Sequence, residues 1–163
     1  MSESTELIQL QEQPTLSIRG QVLIAALATA QGERLRALQA YLVKEAIPVA
    51  GAPFVRYHIF GDRETDFELG VPIVGQAQGM GEIKAGHLPG GSALVTEHIG
   101  SHDKLGEVYG RLQQAMSASN RQANGAAWEV YDWIDPVHDQ GSQKWPAPAD
   151  WHTHLIQPLK DQS

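Results

Sequence analysis

Cysteine is absent from the 163-residue sequence. Disulfides, thiolate metal sites and cysteine nucleophiles are therefore excluded, and a secreted chain held together by disulfides is disfavoured. Long apolar runs are absent too, since no stretch approaches the roughly 20 apolar residues of a membrane span. The N-terminus carries Glu3, Glu6 and Glu12 instead of a basic region followed by an apolar one. The sequence predicts a soluble, cytoplasmic protein that does not enter a membrane.

Basic clusters are also missing. Lysine and arginine total 12 against 19 aspartate and glutamate residues, which gives a formal net charge of −7. Non-specific binding to nucleic acid depends on lysine and arginine displacing counterions from phosphates, so direct nucleic-acid binding is not expected. The length and the 42% apolar content suit one globular domain.

Periodicity along the chain predicts two similar halves. Residues 1–17 are polar and without periodicity, which predicts a flexible tail too short for a helix-turn-helix domain, followed by a single domain over 18–160. The predicted elements are, in order, a strand over 22–27, a helix over 31–46, strands over 54–60 and 66–73, a strand over 92–99, a helix capped by Ser101, and strands over 126–134 and 151–159. Each half therefore has the order β-α-β-β.

Two short alignments support a duplication. Residues 54–57 match 128–131, and residues 71–73 match 157–159 around a shared proline. The predicted fold class is α+β, with tandem β-α-β-β repeats, pseudo-twofold symmetry and an antiparallel sheet carrying two helices. A ligand cleft is expected at the centre, on the pseudo-twofold axis. Coincidence at aromatic strand positions is the alternative explanation for the matches.

Several motifs in a fixed order resemble the GyrI-like family, which includes the effector-binding domains of AraC- and MerR-type regulators. The motifs are APFVRY (52–57), ELGVPI (68–73), LPGG (88–91), HIG (98–100), WEVY (128–131) followed by Asp135-Pro136, and the closing segment 153–159. The resemblance implies a central pocket for lipophilic, frequently cationic or aromatic molecules, with Glu129 as the pocket glutamate. The sequence departs from the family in having His102 where relatives often carry tyrosine, and in lacking the expected DNA-binding module.

Glu129 is the first candidate for ligand contact on physical grounds as well. On a pleated strand it shares a face with Tyr131. If that face looks into the cleft, a carboxylate with aromatic walls would attract a cation. Alternation alone leaves a second orientation open, in which Glu129 faces solvent while Trp128 and Val130 face the core. The family resemblance favours the cleft.

The other candidates come from both halves of the chain. All four tryptophans fall in the C-terminal part of the sequence, and Trp145 is predicted to be a pocket wall because it lies in a loop. Trp133 and Trp151 are expected to fill the core or to cap its edge. The remaining predicted ligand contacts are Tyr131, its first-half equivalent Tyr57, Phe54, Glu68, His98 and His102.

A metal site is not expected. His152 and His154 alternate on a strand and share a face, a spacing that also occurs in zinc and copper sites. A third ligand could come from His98, His102 or His138, but no HExxH or comparable motif ties them together, so polar residues on a solvent-facing strand are the preferred interpretation. No cofactor is expected either.

Three functions are compatible with this sequence. The first is a binding protein that senses or sequesters a lipophilic compound, which would place it in transcription regulation or multidrug binding in a bacterium. The second, implied by the resemblance, is a hydrolase of strained, cyclopropane-type electrophiles that uses Glu129 as its catalytic group. The third is an inhibitor of the gyrase-inhibitor type that acts on a protein partner, with a homodimer also open. We rank them in that order.

Overall fold

The structure is a computed structural model that describes residues 5–138 and 145–161. The strands are β1 (Thr5–Leu10), β2 (Gln13–Leu23), β3 (Phe54–Phe60), β4 (Glu64–Pro72), β5 (Lys84–Leu88), β6 (Gly91–Ile99), β7 (Trp128–Tyr131) and β8 (His152–Pro158), and the α-helices are α1 (Leu27–Lys44) and α2 (Leu105–Ala118). In the part of the chain that the structure describes, no helix is both long and apolar enough to cross a membrane.

The strands form one antiparallel sheet whose order is symmetric. The order is β1-β6-β8-β7-β3-β4-β2-β5. The equivalent strands of the two halves are β1 and β5, β2 and β6, β3 and β7, and β4 and β8. Exchanging each strand for its equivalent gives the same order read from the opposite edge of the sheet. Strand β1 precedes β2 in the chain but pairs with β6, whereas β5 precedes β6 but pairs with β2. The α+β class and the pseudo-twofold arrangement are confirmed, with a repeat of β-β-α-β-β in which the halves exchange their first strands.

The strand register confirms the alignment of the two halves. At the centre of the sheet Val55 pairs with Glu129, and the flanking pairs are Phe54 with Val130 and Arg56 with Trp128. Val55 and Glu129 are equivalent positions, so the local axis passes between them. The symmetry that the sequence suggested is therefore a property of the hydrogen-bond register, since a shift by one residue would turn every side chain to the other face.

Both helices pack on the same face of the sheet. Leu35, Leu38 and Leu42 of α1 are buried against β2 and β4, and α2 is buried against β6 and β8 through an equivalent apolar stripe. Each helix is followed by a residue in the left-handed conformation, Ala46 at φ 52° and Asn120 at φ 55°. These two residues mark equivalent points of the two halves.

Two predictions of secondary structure are corrected, and one strand was missed. Residues 5–10 and 13–17, predicted as part of a flexible tail, lie in β1 and β2. Strand β1 is an edge strand with many exposed side chains, so it lacks an apolar run. The strand predicted over 22–27 instead ends at Leu23, and residues 24–26 form a 3₁₀ turn that leads into α1. Strand β5 was not predicted, because KAGHL is exposed along most of its length.

Candidate functional site

A cavity opens between the first turns of the two helices and the centre of the sheet, with a volume of about 800 Å³. We call it the glutamate pocket. Its polar lining residues are Gln31, Tyr57, His102, Tyr109, Glu129 and Tyr131, and its apolar walls include Leu27, Phe60, Leu105 and Gly106. The predicted central cleft is therefore present, and it lies where the pseudo-twofold axis meets the helix face.

Glu129 is the only acidic side chain among the described residues that line this pocket. It is 3% exposed and accepts two hydrogen bonds, from the Tyr109 hydroxyl to Oε2 at 2.7 Å and from the Tyr131 hydroxyl to Oε1 at 2.8 Å. Burial raises the pKa of the Glu129 carboxyl, and the two phenol hydrogen bonds oppose that rise by stabilising the ionised form. The carboxyl is thus a buried acid whose charge depends on its surroundings.

The tyrosines around Glu129 stay neutral. Tyr57 lies across the pocket, where its hydroxyl accepts a hydrogen bond of 3.1 Å from Gln31 Nε2. Burial, and then the neighbouring Glu129 charge, raise the pKa of Tyr57, Tyr109 and Tyr131 above the ordinary phenol value. The pocket therefore presents neutral phenols, whose ring faces are negative and suited to a cation.

His102 forms the wall at the start of the second helix. It lies in a short 3₁₀ turn that leads into α2, and its Nε2 is 2.9 Å from Thr153 Oγ1. Burial, assisted by the nearby His98, lowers the pKa of His102 to about 4. At neutral pH the ring is uncharged, so it does not neutralise Glu129. Ser101, predicted to cap the helix, occupies the N-cap position but bonds to Asp103 instead of the helix backbone.

A second cavity of about 890 Å³ lies on the other side of His102 and Tyr131. We call it the tryptophan chamber, since its walls include Trp133, Trp145 and Trp151. The rings of Trp133 and Trp151 stack at 4.7 Å with an interplanar angle of 2°, and Trp145 stands edge-on to both. Trp145, predicted to be a wall of the central pocket, lines this second cavity and not the glutamate pocket, and Trp133 and Trp151 line the second cavity as well.

Three residues that were predicted as ligand contacts, Phe54, Glu68 and His98, line neither cavity. Phe54 packs on the opposite face of the sheet against Trp128 and Leu88. Glu68 is on that face too, where it accepts hydrogen bonds from Ser17 Oγ at 2.6 Å and lies 2.8 Å from His58 Nε2. The prediction of both as cleft residues is corrected, because alternation along β3 and β4 turns them away when Val55 faces the helices.

His98 lies behind the cavity walls. It is 5% exposed, and its Nε2 is 3.0 Å from the Ser101 carbonyl oxygen. It does not line either cavity, so it is corrected from a ligand contact to a buried residue that holds the turn before α2. Its effect on the site is indirect, through the pKa of His102.

His152 and His154 lie in a polar cluster that extends along the sheet. His152 Nδ1 is 3.0 Å from Glu97 Oε1, and His154 Nδ1 is 2.5 Å from Asp132 Oδ2. Within residues 5–138 and 145–161, no group of three or more His, Cys, Asp or Glu side chains is arranged to hold a metal ion.

Two polar residues of the glutamate pocket were not predicted, Tyr109 and Gln31. Tyr109 follows Leu105 by four positions and precedes Leu112 by three, so it borders the apolar stripe of α2. A hydrogen-bonding side chain at that border is the signal that could have found it. Gln31 carries no comparable signal, because a glutamine in the first half of a helix is most often a solvent-exposed residue.

The comparisons with known proteins agree with this architecture. The sequence profile of the GyrI-like small molecule binding domain matches residues 6–146. No curated protein sequence matches the chain. The crystal structure of the EcmrR C-terminal domain is similar with a TM-score of 0.75 and 19% identity, over 99% of this chain and 100% of that chain. In the EcmrR–DNA complex, the TM-score is 0.80 and the matched part is 59% of the EcmrR chain.

Two further solved structures share the fold. A hydrolase from Listeria innocua has a TM-score of 0.69 and 13% identity, over 98% of this chain and 93% of that chain. SAV2435 bound to tetraphenylphosphonium has a TM-score of 0.59 and 12% identity, over 96% and 94% of the two chains. The profile match covers most of the sequence and the duplicated sheet agrees with it, so the chain belongs to the family of GyrI-like small-molecule-binding domains.

Proposed function

We propose that this protein binds a lipophilic, cationic and aromatic molecule in the glutamate pocket and thereby senses or sequesters it. The observation that carries the proposal is the buried carboxylate of Glu129, which takes part in no ion pair among the described residues. An ionised carboxylate without a counter-charge is costly to bury. A bound cation would supply that charge.

The walls of the pocket suit the rest of such a ligand. The ring faces of Tyr57 and Tyr131 attract a positive charge, and Leu27, Phe60 and Leu105 offer apolar surface to its lipophilic part. Hydrogen bonds from Tyr109 and Tyr131 hold the Glu129 oxygens in place before any ligand arrives. A preformed site of this kind loses little affinity to ordering.

The similar folds support the ligand class. SAV2435 is bound to tetraphenylphosphonium, a lipophilic aromatic cation. EcmrR is found in a complex with DNA. The present chain matches the C-terminal domain of EcmrR over the whole length of that domain. For this chain we propose the same kind of ligand, and a role as the ligand-sensing unit of a regulatory system.

Calorimetric titration with tetraphenylphosphonium tests the proposal. Wild type is expected to bind it saturably at pH 8, and Glu129→Gln is expected to bind at least about tenfold more weakly, which corresponds to about 1.4 kcal/mol. Glu68→Gln is the matched control, since Glu68 lies on the opposite face of the sheet, and it should bind as wild type does. Equal affinity for wild type and Glu129→Gln would refute the proposal.

A hydrolase on the same fold is the second candidate. Burial raises the pKa of Glu129, and a carboxyl group that holds its proton in a dry pocket can act as a general acid. The fold is shared with a hydrolase from Listeria innocua. Mass spectrometry of a cyclopropane-bearing electrophile after incubation with the protein decides the matter: hydrolysed product that forms with wild type and not with Glu129→Gln would establish catalysis.

A further inference from the structure

We propose that the tryptophan chamber is a second ligand site, separate from the glutamate pocket, that binds a planar aromatic ring bearing a carboxylate or another oxygen acceptor. The two cavities share Ala28, Gln31, His102 and Tyr131 as a common wall, and otherwise their linings differ. The inference is carried by the walls of the chamber itself and does not depend on what the glutamate pocket binds.

The aromatic walls provide a surface for a flat ring. Trp133 and Trp151 form a parallel pair, and Trp145 lies edge-on at 6.3 Å from the first and 6.2 Å from the second. Indoles arranged in this way offer both a face and an edge to a third ring, the two geometries that aromatic pairs favour. Because the chamber has a volume of about 890 Å³, a bicyclic ring fits beside the stack.

The polar lining of the chamber has the opposite character to that of the glutamate pocket. Among the described residues that line it there is no aspartate or glutamate, whereas α1 contributes the Arg36 guanidinium and the Gln39 side-chain amide. His102, on the shared wall, is uncharged at neutral pH because its pKa is lowered to about 4. A cation therefore has no counter-charge on this side, and an oxygen acceptor has several donors.

Two of the donors on the chamber walls have no acceptor. Gln39 Nε2 and Trp133 Nε1 are both buried, and neither makes a hydrogen bond within the part of the chain that the structure describes. A buried donor left unpaired is costly, because it has lost its hydrogen bonds to water. Since both side chains line the chamber, a small rotation that turns them toward a bound carboxylate would relieve this cost.

Two helical glycines allow each cavity to be filled separately. Gly32 lines the tryptophan chamber, and a Cβ added there meets only the flexible Arg36 side chain, with Nη1 at 3.4 Å. Gly106 lines the glutamate pocket, and a Cβ added there meets nothing within 4 Å. Leucine at either position should enter its own cavity, and the loss of a helical glycine favours the helix.

The test is calorimetric titration of wild type, Gly32→Leu and Gly106→Leu with 2-naphthoate and, separately, with tetraphenylphosphonium. We expect Gly32→Leu to weaken the binding of 2-naphthoate at least tenfold and to leave the affinity for tetraphenylphosphonium within about twofold of the wild-type value. Gly106→Leu should do the reverse. Thermal melts of both variants, expected at or above the wild-type melting temperature, show that the fold is intact.

The charge preference of the chamber is tested with Arg36→Gln. This variant should weaken the binding of 2-naphthoate by about threefold to tenfold and leave the binding of neutral 2-naphthalenemethanol nearly unchanged, since only the carboxylate makes a charge-assisted hydrogen bond. Equal effects on both probes would overturn the assignment of Arg36 as the acceptor's partner.

The outcomes separate this inference from the proposed function. If 2-naphthoate does not bind wild type, or if Gly106→Leu abolishes its binding while Gly32→Leu does not, the second site is wrong. If either leucine variant abolishes binding of both probes, the cavities act as one site and the inference is also wrong. If tetraphenylphosphonium fails to bind wild type while 2-naphthoate follows the expected pattern, the second site stands and the proposed function falls.

Discussion

Val55 and Glu129 pair directly across the centre of the sheet and occupy equivalent positions of the two halves. The pseudo-twofold axis therefore relates a buried aliphatic side chain to a buried carboxylate. The helices show the same replacement. Counting back equally from the left-handed residue that follows each helix places Leu35 of α1 at the position of Tyr109 in α2.

This paired replacement explains why the duplicated fold has one glutamate pocket and not two. Where the second half has Glu129 with the Tyr109 hydroxyl donating to it at 2.7 Å, the first half has two apolar residues, Val55 and Leu35. A buried acceptor and its donor are thus present together or absent together, as the cost of an unpaired buried polar group requires.

Glutamate at position 55 should consequently be poorly tolerated. Val55 is fully buried, and Leu35 offers a new carboxylate no hydrogen bond. We expect Val55→Glu to lower the free energy of unfolding by about 3 kcal/mol or more, and the double variant with Leu35→Tyr to recover part of that loss. Urea unfolding of the two variants measures the difference; a Val55→Glu protein as stable as wild type would contradict the account.

Removing one phenol should weaken the cation site in a pH-dependent way. Tyr109→Phe deletes a hydrogen bond to the ionised carboxyl, so the pKa of Glu129 rises further. We expect tetraphenylphosphonium to bind about threefold to tenfold more weakly near pH 6 and to recover toward wild-type affinity at pH 9. Tyr41→Phe is the control, because the Tyr41 hydroxyl bonds to the Gln78 carbonyl away from the pocket. Identical pH profiles for the two variants would rule out the role given to Tyr109.

Glu129 should also make the protein less stable as the pH rises. Its pKa in the folded state is raised, so the folded protein holds the proton more tightly than the unfolded chain does. The contribution is favourable below the unfolded pKa and is lost as the pH rises through the folded pKa. Glu129→Gln should therefore raise the melting temperature more at pH 8 than at pH 5, by about 2–4 °C for each 1 kcal/mol relieved. A gain that is the same at both pH values would argue against a buried acid.

His102 should titrate well below an ordinary histidine. Burial lowers its pKa to about 4, so the neutral ring is favoured in the folded state. Protonation then opposes folding as the pH falls from the unfolded value of about 6.5 toward the folded value. An NMR titration of the His102 ring protons should give a midpoint near 4, and a midpoint near 6.5 would show that the ring is solvated.

The sequence predicted the local elements better than the long-range arrangement. Strand β3 follows from its aromatic and β-branched content, helix α2 follows from apolar periodicity, and the equivalence of Val55 and Glu129 follows from the internal alignment. The exchange of β1 and β5 between the halves does not follow, because it depends on pairing between distant segments that carry exposed side chains.

The face on which a side chain lies was the harder part of the site. Alternation along each strand established that Phe54 and Glu68 each point away from the face on which their own neighbours in the chain lie. It did not establish which face of the sheet would carry the helices. The packing of α1 against Val55 decided it. Trp133 and Trp151 were expected in the core for a similar reason, since sequence alone does not distinguish a tryptophan that fills a core from one that lines a cavity.

The central claim is that Glu129 provides the counter-charge for a cationic aromatic ligand. The most direct test compares tetraphenylphosphonium with neutral triphenylphosphine oxide, both titrated into wild type and Glu129→Gln at pH 8. Wild type should prefer the cation by at least about tenfold, a difference of about 1.4 kcal/mol, and the variant should lose that preference while still binding the neutral probe. A variant that keeps the full preference for the cation would contradict the claim.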